Sequence, residues 1–207
     1  MNKIQKEETI KPLVNTFYIE DEAWDKIIAY ARTAYDLLST EVGGMAVVKK
    51  EANGCWIISD PVILKQTATA AICHLDKEEL SKWYSSMATD NIDYLKENKL
   101  MYCWWHSHHT MTASMSGTDD STIAGTKTGL SLVVNNKGDS QLILCTDKPT
   151  QLKVECELRK VSCMSFSTDI EKDINNLVTK ETNSLSSYDS ISRKVNGWGK
   201  SINTVTD

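Results

Sequence analysis

Apolar residues at Trp24, Ile27, Ile28, Ala31, Tyr35 and Leu38 recur at helical spacing, which predicts an amphipathic helix over residues 21–39. Past it the pattern shortens. Residues 42–48 and 55–64 read as two strands joined by a polar turn in which Asn53-Gly54 marks a hairpin, and Pro61 predicts that the second strand is bent or peripheral. A second helix is predicted from Asp76, with Leu80, Trp83, Tyr84 and Met87 on one face and a continuation through Ile92 and Leu95. Residues 100–105, Leu-Met-Tyr-Cys-Trp-Trp, form an apolar run that reads as a buried strand. Three more strands are predicted at residues 130–134, 141–145 and 151–158, with a hairpin turn at residues 135–139. The sum is an α/β domain with a mixed β-sheet between helices.

After about residue 163 the chain turns polar, rich in Ser, Thr, Asn, Asp and Lys. Ile170, Ile174, Leu177 and Leu185 are placed to make one helix face over roughly residues 168–182, and the rest reads as a solvated tail. The expected organisation is an N-terminal extension over residues 1–17, a domain over 18–163, and a partly helical polar tail over 164–207.

Charge and cysteine usage narrow the class. A formal net charge of −5 across 207 residues provides no basic face for nucleic acid. No apolar run approaches the roughly 20 residues a bilayer requires and the first residues lack a signal-peptide core, so a soluble cytoplasmic protein is expected. The six cysteines have no Cys-x-x-Cys spacing and fall largely in apolar strand patterns, which suits free buried thiols in a reducing compartment and disfavours a cysteine-based zinc site.

The chemistry concentrates in one stretch. His106 and His108, two apart at the end of the apolar strand, point to the same side, and two imidazoles at one edge can grip a divalent metal. After seven intervening residues, Ser116-Gly117-Thr118-Asp119 reads as a helix start with Ser116 as cap and Asp119 in the first turn. Two histidines and an aspartate leave the fourth tetrahedral position of a zinc ion to water, as in catalytic sites. Asp120 is a rival to Asp119, about a third of a turn away. A proton acceptor is available in Glu41, at the junction of the first helix and first strand, where Gly43-Gly44 permits close backbone approach. Taken separately, the histidines could end a solvent-exposed strand, Ser116-x-x-Asp119 could be only a capping box, and Glu41 could be an exposed helix-end residue. His109 reads as a loop residue and His74 as a surface residue.

A glutamate before the first strand, followed by His-x-His, seven residues, Ser, two residues and Asp, is similar to the signature of the JAMM (MPN-plus) zinc metalloproteases, as is the Gly-Gly pair after the glutamate. The resemblance covers roughly residues 18–160. It implies a single JAMM/MPN-like domain with a mixed sheet flanked by helices, a three-layer arrangement like that of cytidine deaminase. It implies Zn2+ as cofactor, with His106, His108 and Asp119 as ligands, Glu41 as general base and Ser116 helping to hold the oxyanion. The implied activity is that of a deubiquitinase-like isopeptidase or peptidase acting next to the C-terminal tail of a ubiquitin-like protein. The alternatives are a non-catalytic MPN-type scaffold and a processing protease in a prokaryotic or viral assembly pathway. One departure is visible: the family usually reads His-Ser-His-Pro, and His109 stands where proline is expected.

Overall fold

Helix α1 (Asp21–Leu38) buries the stripe that its periodicity predicts, with Trp24, Ile27, Ile28 and Ala31 in the core, and ends at Ser39 in a left-handed turn whose N–H donates to the Tyr35 carbonyl at 2.9 Å. The computed structural model describes residues 16–117, 119, 129–146, 152–162 and 170–181. Asp120, Cys163, most of the helix expected after Ser116, most of the expected N-terminal extension, and the tail beyond residue 181 lie outside the described residues.

Before α1 comes a strand, β1 (Thr16–Glu20). After it follow β2 (Gly43–Lys50), β3 (Trp56–Ile63), β4 (Gln66–Ala68), β5 (Cys73–Leu75), the helices α2 (Lys77–Asp90) and α3 (Ile92–Lys96), and β6 (Leu100–Ser107). The chain continues through β7 (Leu130–Val134), β8 (Ser140–Thr146), β9 (Leu152–Val161), helix α4 (Ile170–Leu177) and β10 (Val178–Lys180).

Seven strands, in the order β1-β3-β2-β6-β7-β8-β9, close into a barrel. This corrects the expected α/β fold, a mixed sheet flanked by helices in a three-layer arrangement. The sheet is mixed, with parallel pairs β1/β3, β1/β9 and β6/β7, but it has no free edges. The closing element is β1. Tyr18 pairs with Ile57 on one side and with Arg159 on the other, so five residues seal both edges of an otherwise open sheet. Their alternation, with Phe17 and Ile19 buried, runs straight into the period of α1, and their partners lie far away in the chain. That is why the strand was not expected.

Pro61 is the other instructive difference. Strand β3 is not peripheral but lies between β1 and β2. It is bent, however: Met45 pairs with Val62 and Val47 with Ser59, so Ala46 faces both Asp60 and Pro61 across a bulge, with Asp60 at φ 50°. A residue without an N–H is tolerated there because the bulge leaves it out of the ladder.

A second, three-stranded sheet has the order β10-β4-β5. In it, residues expected to form a polar tail pair with β4: Val178, Thr179 and Lys180 lie opposite Gln66, Thr67 and Ala68. Preceding them, α4 buries Ile174 fully and packs on α1, where the Tyr30 hydroxyl donates to the Asp173 carboxylate at 2.6 Å. The expected helix over 168–182 is thus a helix followed by a strand. Among the described residues, no helix is long and apolar enough to cross a membrane.

Candidate metal centre

Along β6 the side chains alternate between two environments. Trp105 stacks on Tyr30 of α1, with ring centroids 6.0 Å apart, while Trp104 stacks on His106 at 4.2 Å. The apolar run therefore fixes one imidazole by aromatic packing: His106 is 1% exposed, and its Nδ1 has no hydrogen-bond partner. Ser107, pointing the other way, accepts the Val42 N–H with its Oγ and donates its own N–H to the Val42 carbonyl. That exchange ties the end of β6 to the chain just after Glu41.

His106 and His108 bring their Nε2 atoms within 3.0 Å of each other. Asp119 completes the group, with Oδ1 3.1 Å from His106 Nε2 and Oδ2 3.6 Å from His108 Nε2. All three residues are buried, and one donor atom from each lies within 4.8 Å of the others, so the group could hold a metal ion. The donor set fits. His108 Nδ1 is 3.1 Å from the Thr112 carbonyl, which can only accept, so the proton sits on Nδ1 and the Nε2 lone pair is left for a ligand. Such a partner on the far nitrogen is typical of metal-ligating histidines.

Electrostatics follow from burial and from this cluster. Burial raises the Asp119 pKa, but the His106 and His108 imidazoles and the Ser116 hydroxyl beside it outweigh that and hold the carboxyl well below its usual range. His106 is pushed down by burial against the pull of Asp119, whereas His108 is raised, chiefly by the neighbouring Asp119 carboxylate. Ser116, an exposed residue, donates both its N–H and its Oγ–H to Asp119 Oδ2, each at 2.6 Å, and its Oγ accepts the Asp119 N–H at 3.3 Å. A hydroxyl has one proton to give. In this arrangement that proton orients the Asp119 carboxylate, a role distinct from the oxyanion contact that the resemblance implies for Ser116.

Glu41 occupies the loop between α1 and β2 and is 2% exposed. Its N–H donates to the Thr69 carbonyl at 2.8 Å. Burial lifts its pKa to about 8; the His108 charge opposes this and the Asp119 charge adds to it, so the carboxyl lies within electrostatic reach of two members of the triad. Gly43, two residues on, pairs with His106 in the barrel. A Cβ on Gly43 would sit 2.7 Å from Cys73 Sγ, and one on Gly44 would overlap the Val62 carbonyl oxygen and the Trp105 ring. The Gly-Gly pair therefore lets β2 lie against its neighbours closely enough for the Glu41 loop to meet the end of β6. Cys73 is a buried neutral thiol here, raised by burial with added effect from Glu41 and Asp119.

Two residues that sequence reasoning did not single out hold this site. Gln66, 2% exposed on β4, accepts the Gly43 N–H at 2.9 Å and donates to the Gly43 carbonyl at 2.8 Å, so a side chain replaces a strand partner at the start of β2. Asn135 had been read only as part of a hairpin turn, yet it is 1% exposed and donates to the Met111 carbonyl in the histidine loop. A lone Gln in a polar stretch carries no sequence signal, and an Asn in a turn carries one only for the turn. His109 is buried but outside the triad, with its ring 5.1 Å from that of Tyr35, and His74 is an exposed residue of β5. No model of a known protein family matches the chain, and comparison with curated proteins gives no match.

Proposed function

We propose that the chain is a zinc-dependent hydrolase of the JAMM type that cleaves peptide or isopeptide bonds, with the C-terminal tail of a ubiquitin-like protein as the substrate class. The observation that carries this reading is a buried His-His-Asp triad with a separate buried carboxyl, Glu41, within electrostatic reach of it. His106 Nε2, His108 Nε2 and the Asp119 carboxylate would hold the zinc ion, which would supply a Lewis acid and activate water for attack.

The remaining roles belong to the chain. Glu41, a buried carboxyl within electrostatic reach of the triad, accepts a proton as water attacks and passes it to the departing amine. Asp119 stays anionic, with the Ser116 N–H and Oγ–H both donating to its Oδ2. Ser116 orients Asp119 in the resting arrangement, and its Oγ–H meets a developing oxyanion only after turning away from Oδ2.

Zinc content and hydrolysis of an isopeptide-linked ubiquitin-like conjugate test the reading together. The expected result is about one zinc per chain in wild type and in Glu41→Gln, with cleavage only by wild type. Wild-type protein that takes up no zinc, or a Glu41→Gln variant that cleaves as well as wild type, would sink it.

A further inference from the structure

The loop carrying His108 has a backbone that excludes proline after it. His109 has φ 43°, in the left-handed region, whereas a proline ring fixes φ near about −65°. A side-chain-bearing residue persists at such an angle only where its surroundings over-determine it. Here the surroundings come from the turn after β7. The Asn136 N–H donates to the His109 carbonyl at 2.7 Å, the His108 N–H donates to the Val134 carbonyl at 2.8 Å, and the Met111 N–H closes the loop on the His108 carbonyl at 2.8 Å.

Asn135 is the hub of that turn. Its Oδ1 accepts the N–H groups of Lys137 (3.0 Å) and Asp139 (2.9 Å), and its Nδ2 donates to Asp139 Oδ2 and to the Met111 carbonyl, both at 2.9 Å. All the hydrogen-bonding capacity of a buried carboxamide is thereby used, on three backbone groups and the Asp139 carboxylate. The Met111 carbonyl belongs to the peptide that leads into Thr112, and the Thr112 carbonyl is the one that His108 Nδ1 meets. A side chain on one turn thus anchors the peptide next to the carbonyl that sets the tautomer and ring direction of a ligand on another.

We propose that Asn135 is a positioning residue for His108: through the Met111–Thr112 peptide it holds the imidazole with Nε2 toward His106 and Asp119. The inference rests on the metal-centre reading above and adds to it a residue outside the motif.

The test uses the full chain with 15N-labelled histidine. In chelator-treated wild type, the His108 imidazole signals should be those of the Nδ1-protonated tautomer, and Asn135→Ala should shift or broaden them. Zinc affinity, measured by competition with a chromophoric chelator, should fall at least about tenfold in Asn135→Ala and Asn135→Asp and stay within about twofold in Lys137→Ala, which alters an exposed side chain of the same turn. Asn135→Asp keeps the shape and the Oδ1 acceptor while removing both donors, so it decides the matter if Asn135→Ala does not fold. Unchanged His108 signals together with wild-type zinc affinity in a folded variant would overturn the proposal and leave Asn135 as a turn residue. Wild type without zinc would overturn the metal centre instead, and the tautomer signals would still decide whether Asn135 orients His108.

Discussion

His106, His108 and Asp119 come from one short stretch, the end of β6 and the turn beyond it, whereas Glu41 reaches the same place from the loop between α1 and β2. The two sides are held differently. Trp104 stacking, the Thr112 carbonyl and the Ser116 hydroxyl fix the triad, all within a few residues of what they fix. Glu41 is held through Thr69, just past β4, and through Gln66 and Ser107 of other strands, and the strand that follows it depends on two glycines that let those strands approach. The small sheet that presents Gln66 and Thr69 is in turn flanked by β10, at the end of the described chain. The triad is mostly a local motif, with outside support from Val134 and Asn135 at the end of β7; its neighbouring acid is a product of assembly.

This contrast can be broken one side at a time. The largest effect is expected from His106→Ala with His108→Ala, which should abolish metal binding while the chain still folds, as judged by metal analysis beside circular dichroism; retained metal would remove the triad from its role. Gly44→Ala attacks the other side. Its methyl overlaps the Val62 carbonyl oxygen, a backbone atom that cannot swing away, so the loss of stability should reach about 3 kcal/mol or more, read by denaturant unfolding.

A subtler separation uses pH. In the folded chain without metal, burial keeps Glu41 protonated up to about pH 8, while in the unfolded chain it ionises near its ordinary value of 4.5. The unfolded state releases its proton first. The contribution is therefore fully present below pH 4.5 and is lost as pH rises toward about 8, by at most about 1.4 kcal/mol per pH unit. Glu41→Gln should flatten that part of the stability profile in chelator-treated protein, and an identical slope in wild type and variant would mean that Glu41 is not the buried acid described here.

The smallest expected effect is that of Gln66→Ala. It leaves the Gly43 N–H and carbonyl without their side-chain partner at a cost of about 1–3 kcal/mol, measurable by thermal unfolding. Zinc affinity should change little, because none of the triad touches Gln66. A large loss of zinc in this variant would show that the two sides are coupled more tightly than their separate supports imply.

Much of the molecule could be read from the chain itself. Helix α1 was legible from its 3.6-residue period, the β2–β3 hairpin from Asn53-Gly54, and strand β6 from its aromatic run, because each signal lies within the element it specifies. Barrel closure was not legible. It turns on β1 pairing in parallel with both β3 and β9, and a parallel seam between distant segments leaves no mark on local periodicity. The same reasoning applies to β10, which falls inside the helix expected over 168–182: only the presence of β4 beside it gives those residues a strand partner.

By itself, then, the sequence determined the spacing that puts two imidazoles on one side of a strand, the cap that presents Asp119, and the glycine pair after Glu41, since these are short-range consequences of chain geometry. The tertiary structure alone decided that the sheet closes, that Glu41 is buried beside the triad with its pKa near 8, that Ser116 directs its proton at Asp119, and that Gln66 and Asn135 hold the two sides. Burial and hydrogen-bond partnership are properties of what the fold brings alongside a residue, and the chain's own order does not contain them.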